Sequence, residues 1–353
     1  MKLLIVKLGA IGDIIHALPT LAAIREARPD VDVSWVAERR SAEILRGNEM
    51  IENLIEVDTH KLRGQPIERI LIEAGRQIGE LRKFEYDVAL DMQGLIKSAV
   101  IARMSGADDR WGFAKQALRE PASRIFLTDT VEIPEGTHII RKNLMLAEQA
   151  LEFVSYDEPG FPIYIESEHE AEAAAILHTV GGEFAILNPG GGWVTKLWHA
   201  EKYGELADKL WEDLGLKSVI ATGPNEHELS KRVINASRSG ALVAVYPSLK
   251  GFYELARHAD VYVGGDTGPT HLAIAAGTPV VGIFGPTEWW RNGSPNPDDI
   301  CVERTDIACR VDCHRRTCSN WICMDISIET VFDAVRRRLV RRSSKKSVTG
   351  DSQ

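Results

Sequence analysis

Short apolar runs alternate along the chain with longer segments in which apolar residues recur every third or fourth position. The short runs predict buried strands, and the longer segments predict amphipathic helices. In the first half this pattern predicts strands near 2–7, 33–37, 53–57 and 87–91, and helices near 13–27, 66–82, 95–104 and 138–153. In the second half it predicts strands near 184–188, 217–222, 242–245, 260–264 and 279–284, and helices near 199–214, 225–238, 249–258, 268–276 and 326–341.

Strands that alternate with helices are typical of α/β folds with parallel sheets. Two consecutive series of this kind, joined around 155–180, predict two Rossmann-like domains facing a central cleft. A length of 353 residues is enough for two domain cores. We expect the domains over 1–165 and 180–325, a C-terminal helix over 326–342 and a disordered tail over 343–353. Prolines at 121, 134 and 159 predict a looser middle.

The composition is that of an ordinary soluble globular protein, with 44% hydrophobic and 26% charged residues. The net charge of −9 argues against a nucleic-acid-binding protein. Lys7 and Asp13 interrupt the apolar start of the chain, and no small-residue cleavage site follows, so we expect no signal peptide. No run approaches the roughly 20 apolar residues of a membrane helix. We therefore expect a cytoplasmic protein.

Polar residues concentrate where the predicted strand 260–264 ends. Asp266, Thr267, Gly268 and His271 stand at this strand end and at the start of the next helix. Open α/β sheets bind ligands at the carboxyl ends of their strands, and the N–H groups of a helix N-terminus favour anions such as phosphate. A lone histidine on a helix is usually structural or solvated, but its position beside Asp266 favours a contact with phosphate or a sugar hydroxyl.

The turn after the first strand has a similar pattern. Gly9 and Gly12 allow the backbone to approach a ligand closely, and Asp13 follows at the predicted start of a helix. Two interpretations of Asp13 fit equally well, a helix N-cap and a catalytic base. The turn lacks the G-x-G-x-x-G spacing of dinucleotide-binding proteins, which argues against NAD.

A later strand end, with Asp91, Gln93 and Lys97, repeats this arrangement. Taken singly, each residue is better explained by a capped helix with a solvated lysine. Three basic residues elsewhere in the first half could together bind an anionic acceptor: Lys61, Arg63 and Arg119. Taken singly, each is more often an ordinary solvated surface residue.

Two further strand ends in the second half carry polar groups. Gly190, Gly191 and Gly192 precede Lys196, a combination that favours pyrophosphate binding over a simple flexible turn. Glu226 follows the next strand, where it could accept hydrogen bonds from ribose hydroxyls. Its alternative role, complementing a helix N-terminus, is at least as common.

Four of these motifs, in this order, resemble the ADP-heptose:lipopolysaccharide heptosyltransferases of glycosyltransferase family 9. They are residues 6–19, residues 91–99, Lys196 with Trp198, and residues 265–271. The resemblance spans about residues 1–335, and the segment from Asp91, with the Arg-Glu-Pro sequence at 119–121, is closer to heptosyltransferase I than to II. It implies the GT-B fold and an inverting transfer of heptose, without metal or cofactor, from ADP-heptose to a lipid A–Kdo acceptor.

The resemblance also implies roles for individual residues. Asp13 is the expected base on the acceptor hydroxyl, Lys196 is expected to neutralise the leaving diphosphate, and Asp266 to bind heptose hydroxyls. The expected donor-binding set is Gly191, Gly192, Glu226, Asp266, Thr267, Gly268 and His271, with Glu226 on the ribose. The expected acceptor-binding set is Gly12, Lys61, Arg63, Gln93, Lys97 and Arg119. The glycines at 190–192 replace hydroxyl residues of some heptosyltransferases I, so nucleotide contacts there are expected to come mostly from the backbone.

Two features remain outside these motifs. Cys309, Cys313, Cys318 and Cys323 lack the paired spacing of zinc knuckles, so we expect a structural loop with reduced thiols or one local disulfide. The basic run at 336–346 has two possible interpretations. It could be a solvated helix end, or it could bind an anionic membrane surface. With a lipid-linked acceptor, we expect peripheral contact with the cytoplasmic face of the inner membrane.

Other functions fit parts of the pattern. Heptosyltransferase II, or a family 9 enzyme for another sugar, would share all four motifs. A nucleotide-sugar epimerase can share the twin-Rossmann fold but needs no basic acceptor set. A non-enzymatic nucleotide-sugar binder would keep the 264–271 site and has no need of Asp13.

Overall fold

A computed structural model of the chain describes residues 1–59, 67–155, 160–223, 225–309, 313 and 315–349. The chain divides into two compact units, Met1–Tyr164 and Ile165–Gln353. Each unit contains a parallel six-stranded sheet with helices connecting its strands. The two sheets confirm the predicted α/β class.

The sheet of the first unit has the strand order β3-β2-β1-β4-β5-β6. Its strands are β1 (Lys2–Val6), β2 (Asp32–Glu38), β3 (Asn53–Val57), β4 (Val88–Asp91), β5 (Asp109–Phe113) and β6 (Asp129–Val131). Its helices are α1 (Ile11–Ile15), α2 (Leu18–Ala27), α3 (Arg39–Ala42), α4 (Ile67–Arg82), α5 (Ile96–Met104) and α6 (Ile139–Leu151).

The second sheet has the order β12-β11-β10-β7-β8-β9. Read from its β9 edge, with β7 counted as the first strand, this is the same order as in the first sheet. Its strands are β7 (Phe184–Asn188), β8 (Lys217–Ala221), β9 (Leu242–Val245), β10 (Val261–Gly265), β11 (Val280–Phe284) and β12 (Ile300–Glu303). Its helices are α7 (Ser167–Val180), α8 (Ala200–Leu214), α9 (His227–Ala236), α10 (Leu249–His258), α11 (Gly268–Ala275), α12 (Trp289–Asn292) and α13 (Ile328–Thr349).

The central strands of both sheets are apolar because helices cover both of their faces. Leu3, Leu4, Ile5 and Val6 of β1 are fully buried, and all of β7 is buried. In each sheet the first three strands follow one another toward one edge, and the next three follow one another toward the opposite edge. The order therefore reverses beside the central strands. Val6 pairs with Asp91 in the first unit, and Gly264 pairs with Asn188 in the second. Such reversal points are where open α/β sheets bind ligands.

Several elements differ from the prediction. The strands β5, β6 and β12 were not predicted, because each is short and has charged residues at one end, which leaves an apolar run of three residues or fewer. Helix α7 lies within the expected linker, because its Ala- and Glu-rich sequence has helix propensity without an apolar stripe. The single helix expected over 13–27 is two helices, α1 and α2, with Pro19 in the first turn of α2.

The last helix is longer than predicted. Helix α13 continues through residues 343–349, part of the expected disordered tail, because no Gly or Pro follows Arg342 before Gly350. Residues 350–353 lie outside the described chain. Two arginines of the basic run hold α13 in place. Arg338 is buried, and its Nε lies 2.7 Å from Asp299 Oδ1. Arg342 Nη1 lies 2.6 Å from Asp260 Oδ1.

No helix in the described ranges is long and apolar enough to span a bilayer. Peripheral membrane contact stays a prediction.

Candidate active site

The turn after β1 is fastened to the turn after β4. Lys7 is buried, and its ammonium donates to the Met92 carbonyl at 2.7 Å. Gln93 Oε1 accepts the N–H groups of Leu8, at 3.1 Å, and Gly9, at 3.3 Å. These bonds join the loops of two neighbouring strands at the reversal point of the first sheet.

The same Gln93 side chain reaches Asp13. Its Nε2 donates to Asp13 Oδ2 at 3.2 Å, and the Ala10 N–H donates to the same oxygen at 3.0 Å. Asp13 lies in the first turn of α1, after the N-cap residue Ala10, and is partly exposed, whereas Gly12 beside it is buried. The carboxylate therefore helps to close the helix start and also keeps an accessible surface for a substrate. Because Ala10 is the N-cap, the N-cap interpretation of Asp13 is wrong: its side chain bonds back to the Ala10 N–H from the third position of the helix. The role of catalytic base stays a prediction.

Asp91 at the end of β4 is a buried carboxyl group. Burial raises its pKa to about 6, although the Gly94 and Gln93 N–H groups donate to Oδ1 at 3.1 and 3.0 Å. An acid whose pKa is higher in the folded state binds its proton more tightly there. It therefore lowers stability as the pH rises from about 4, its unfolded value, to about 6.

Asp91→Asn should stabilise the first unit at pH 7.5 by about 1–3 kcal/mol, because Asn keeps the Oδ1 acceptor and removes a desolvated charge. At pH 4, where the native carboxyl is protonated, the variant and the native chain should have equal free energies of unfolding. Urea denaturation at the two pH values measures both. A variant less stable at pH 7.5 would show that the Asp91 charge is needed for folding.

The residues expected to meet the acceptor occupy different environments. Lys97 on α5 lies 3.4 Å from Glu38, a buried carboxylate at the end of β2 that the sequence analysis did not single out. Glu120 accepts the Ile96 N–H at 2.7 Å, which ties the segment with the exposed Arg119 to the start of α5. The structure thus joins the elements that carry Lys97 and Arg119. Lys61 and Arg63 lie outside the described residues.

In the second unit a buried cluster surrounds Asp266 at the end of β10. Its Oδ2 lies 2.5 Å from Lys196 Nζ, which also donates to the Asp266 carbonyl at 3.2 Å. Its Oδ1 lies 3.2 Å from His271 Nε2 and accepts Asn292 Nδ2 at 2.9 Å. The three partners come from separate elements, so the fold brings Lys196, Asp266 and His271 together.

The electrostatics of this cluster keep Asp266 ionised. Burial would raise the pKa of its carboxyl group, but the His271 hydrogen bond and the Lys196 charge outweigh burial and hold the pKa well below its usual range. The Asp266 carboxylate is buried and the Lys196 ammonium is partly buried, and together the pair carries no net charge. The cluster can bind hydroxyl groups through Asp266 and phosphate oxygens through Lys196.

The remaining donor-site residues lie around this cluster. Thr267 is the N-cap of α11 and Gly268 its first residue, so the N–H groups of this helix start beside Asp266. Glu226 accepts the Gly223 N–H at 2.8 Å. A Cβ at Gly190 would lie 2.8 Å from both Glu226 oxygens, and one at Gly191 would lie 2.6 Å from Leu197. These two glycines permit the close packing of the turn, whereas Gly192 faces open space.

Two side chains that contact this cluster, Asn292 and Trp193, were not predicted from the sequence. Asn292 ends α12, a four-residue helix with no periodic signal. Trp193 places its ring 4.0 Å from Lys196 Nζ. Trp198, one of the motif residues, is a core residue instead, since its indole is buried and donates to the Ile326 carbonyl at 3.0 Å.

The cysteines are free thiols, so no local disulfide forms among them. The Trp321 N–H donates to Cys318 Sγ at 3.3 Å, and backbone hydrogen bonds from Trp321 and Asn320 lower the Cys318 pKa. In the described ranges, the side chains close enough to share a metal ion are Glu166, Glu168 and His169, of which the two acids are exposed. This cluster belongs to the start of α7 and includes none of the residues at the ends of β1, β4 and β10.

Comparison with known proteins identifies a family for this chain. The model of glycosyltransferase family 9 (heptosyltransferase) matches residues 75–321. Lipopolysaccharide heptosyltransferase 1 of Pseudomonas aeruginosa is 28% identical over 320 residues, covering 90% of this chain and 88% of that protein. Lipopolysaccharide heptosyltransferase 1 of Escherichia coli K12 is 29% identical over 292 residues, covering 82% and 89%.

Solved structures of the same family share the fold. The E. coli heptosyltransferase WaaC with ADP-2-deoxy-2-fluoro heptose has a TM-score of 0.71 at 26% identity and covers 86% of this chain and 93% of that one. The E. coli ADP-heptose LPS heptosyltransferase II has a TM-score of 0.74 at 17% identity, covering 97% and 100%. These matches confirm the predicted GT-B-like class. The chain therefore belongs to glycosyltransferase family 9, the heptosyltransferases, and is a glycosyltransferase.

Proposed function

We propose that this enzyme transfers heptose from ADP-heptose to the Kdo of a lipid A–Kdo acceptor, with inversion at the anomeric carbon. The observation that carries the proposal is the buried Lys196–Asp266–His271 cluster beside the N-terminus of α11. The names of the relatives, heptosyltransferases 1 of two species, and the ADP-heptose analogue bound to WaaC support this donor and acceptor.

The first unit supplies the base in this proposal. Asp13 takes the proton of the acceptor hydroxyl while the hydroxyl oxygen forms the new bond to the anomeric carbon. Gln93, predicted to touch the acceptor, orients the Asp13 carboxylate through its 3.2 Å hydrogen bond. Lys97 and Arg119, with Lys61 and Arg63, bind the acidic Kdo.

The second unit supplies the donor site. As the bond between the anomeric carbon and the phosphate oxygen breaks, negative charge builds on the leaving ADP. Lys196 and the N–H groups at the start of α11, beginning at Thr267 and Gly268, neutralise that charge. Asp266 accepts hydrogen bonds from heptose hydroxyls, and Glu226 accepts from the ribose.

The proposal is tested with purified protein, ADP-heptose and Kdo-lipid A, by following ADP release and product mass. We expect an acceptor product that is heavier by one heptosyl residue. One ADP should be released for each transfer. ADP release without a heavier acceptor would make the protein a hydrolase, and binding without either would make it a nucleotide-sugar binder.

The alternative within the family is transfer to another acceptor, because a heptosyltransferase 3 of E. coli is also similar, at 23% identity. An acceptor that already carries heptose, used in parallel, separates these possibilities. Preference for that acceptor would reassign the enzyme to heptosyltransferase II or to another member of the family.

A further inference from the structure

A loop of the second unit, residues 313 and 315–323 and here called the cysteine-rich loop, is fastened to the turn that carries Lys196. Thr195, next to Lys196, is buried and is bonded through both of its oxygens. Its Oγ1 donates to the Arg315 carbonyl at 2.5 Å, and its own carbonyl accepts Trp321 Nε1 at 3.0 Å. These bonds fix the position of the loop relative to the Lys196 side chain.

The loop also brings a second cation to the Lys196 turn. The guanidinium carbon of Arg316 lies 5.5 Å from the centre of the Trp193 ring, and Lys196 Nζ lies 4.0 Å from the same point. Both distances are within the range of cation–π contacts. The indole of Trp193 is therefore a common platform for two positive charges that are 120 residues apart in sequence.

The charge balance of the site favours a second cation beside Lys196. Lys196 is already neutralised by Asp266 at 2.5 Å, so this buried pair offers little net charge to an anion. A diphosphate brings at least two negative charges. Arg316 is exposed and makes no ion pair with any residue in the described part of the chain. One guanidinium group can bind two phosphate oxygens at once, so an arginine at this position is suited to a diphosphate.

We propose that Arg316 is a second cation for the leaving diphosphate, and that the cysteine-rich loop serves to deliver it to the donor site. This inference rests on the proposed function, because it assumes a nucleoside diphosphate in the Lys196–Asp266 site. It gives the cysteine motif a role that the family resemblance did not supply: Cys318, by accepting the Trp321 N–H, shapes the part of the loop that bonds to Thr195.

The test compares Arg316→Ala with Arg315→Ala by calorimetric titration of ADP and of AMP. Arg315 is the matched control, because it is an exposed arginine of the same loop whose backbone carbonyl, which an alanine retains, makes the bond to Thr195. We expect Arg316→Ala to weaken ADP binding about three- to tenfold, as for a partly solvated charge pair, and to weaken AMP much less. Arg315→Ala should match the native chain, and Arg316→Lys should recover part of the loss.

Equal ADP affinities of the Arg316→Ala and Arg315→Ala variants would overturn the inference, as would an equal loss for AMP and ADP. These failures differ from a failure of the proposed function. In that case the native protein itself would bind neither ADP nor ADP-heptose, whatever residue stands at position 316.

Discussion

Asp13→Asn should reduce kcat for heptose transfer by about 10²–10⁴-fold, the usual contribution of a general base, and leave ADP-heptose affinity unchanged. The substitution keeps the side chain's size and an oxygen that can accept the Ala10 and Gln93 N–H groups. What it removes is the carboxylate that accepts the acceptor's proton. Initial rates of ADP release and calorimetric binding of ADP-heptose measure the two effects separately.

Asp108→Asn is the control for this variant. Asp108 is an exposed aspartate of the same unit, and its conversion to asparagine makes the same change in net charge. We expect its kcat to equal that of the native enzyme. A native kcat in Asp13→Asn would remove Asp13 from catalysis and leave it as a residue that closes the start of α1.

The polar residues at the carboxyl ends of strands were the part of the candidate site that could be predicted from the sequence. Asp266 and His271 are five residues apart, and a strand followed by a helix places both at one sheet edge, so their 3.2 Å contact follows from local order. Lys196 could be assigned to the same edge, because parallel strands all end there. The central strands were equally predictable, since β1 and β7 are continuous apolar runs.

The residues that sequence missed depend on long-range packing. Asn292 reaches Asp266 from a four-residue helix, and Arg316 reaches Trp193 from a loop without regular structure. Neither has a periodic pattern or a strand end to mark it. The hydrogen bonds of Gln93 to Leu8, Gly9 and Asp13 could not be predicted for the same reason, because these partners lie some 80 residues away.

Lys196→Met should lower both activity and stability, because Lys196 is the ion-pair partner of the buried Asp266 carboxylate. Loss of a charge that stabilises the leaving group typically costs about 10²–10³-fold in kcat. Loss of one partner of a buried pair typically costs about 3–5 kcal/mol, because the other charge stays buried without compensation. Without Lys196, the pKa of the Asp266 carboxyl should rise from its lowered value, so the variant should lose less of its stability on acidification than the native enzyme.

The double variant Lys196→Met/Asp266→Asn separates these two effects. It removes both charges, and the asparagine introduced at position 266 still offers an oxygen to the Asn292 amide, so we expect most of the free energy of unfolding to return. Activity should not return, because the diphosphate still lacks its buried cation. Lys231→Met, which breaks an exposed pair with Glu228 on α9, is the control and should keep native kcat and Tm. Thermal denaturation with initial rates of ADP release decides the outcome: recovered activity in the double variant would show that Lys196 only neutralises Asp266 and does not act on the leaving group.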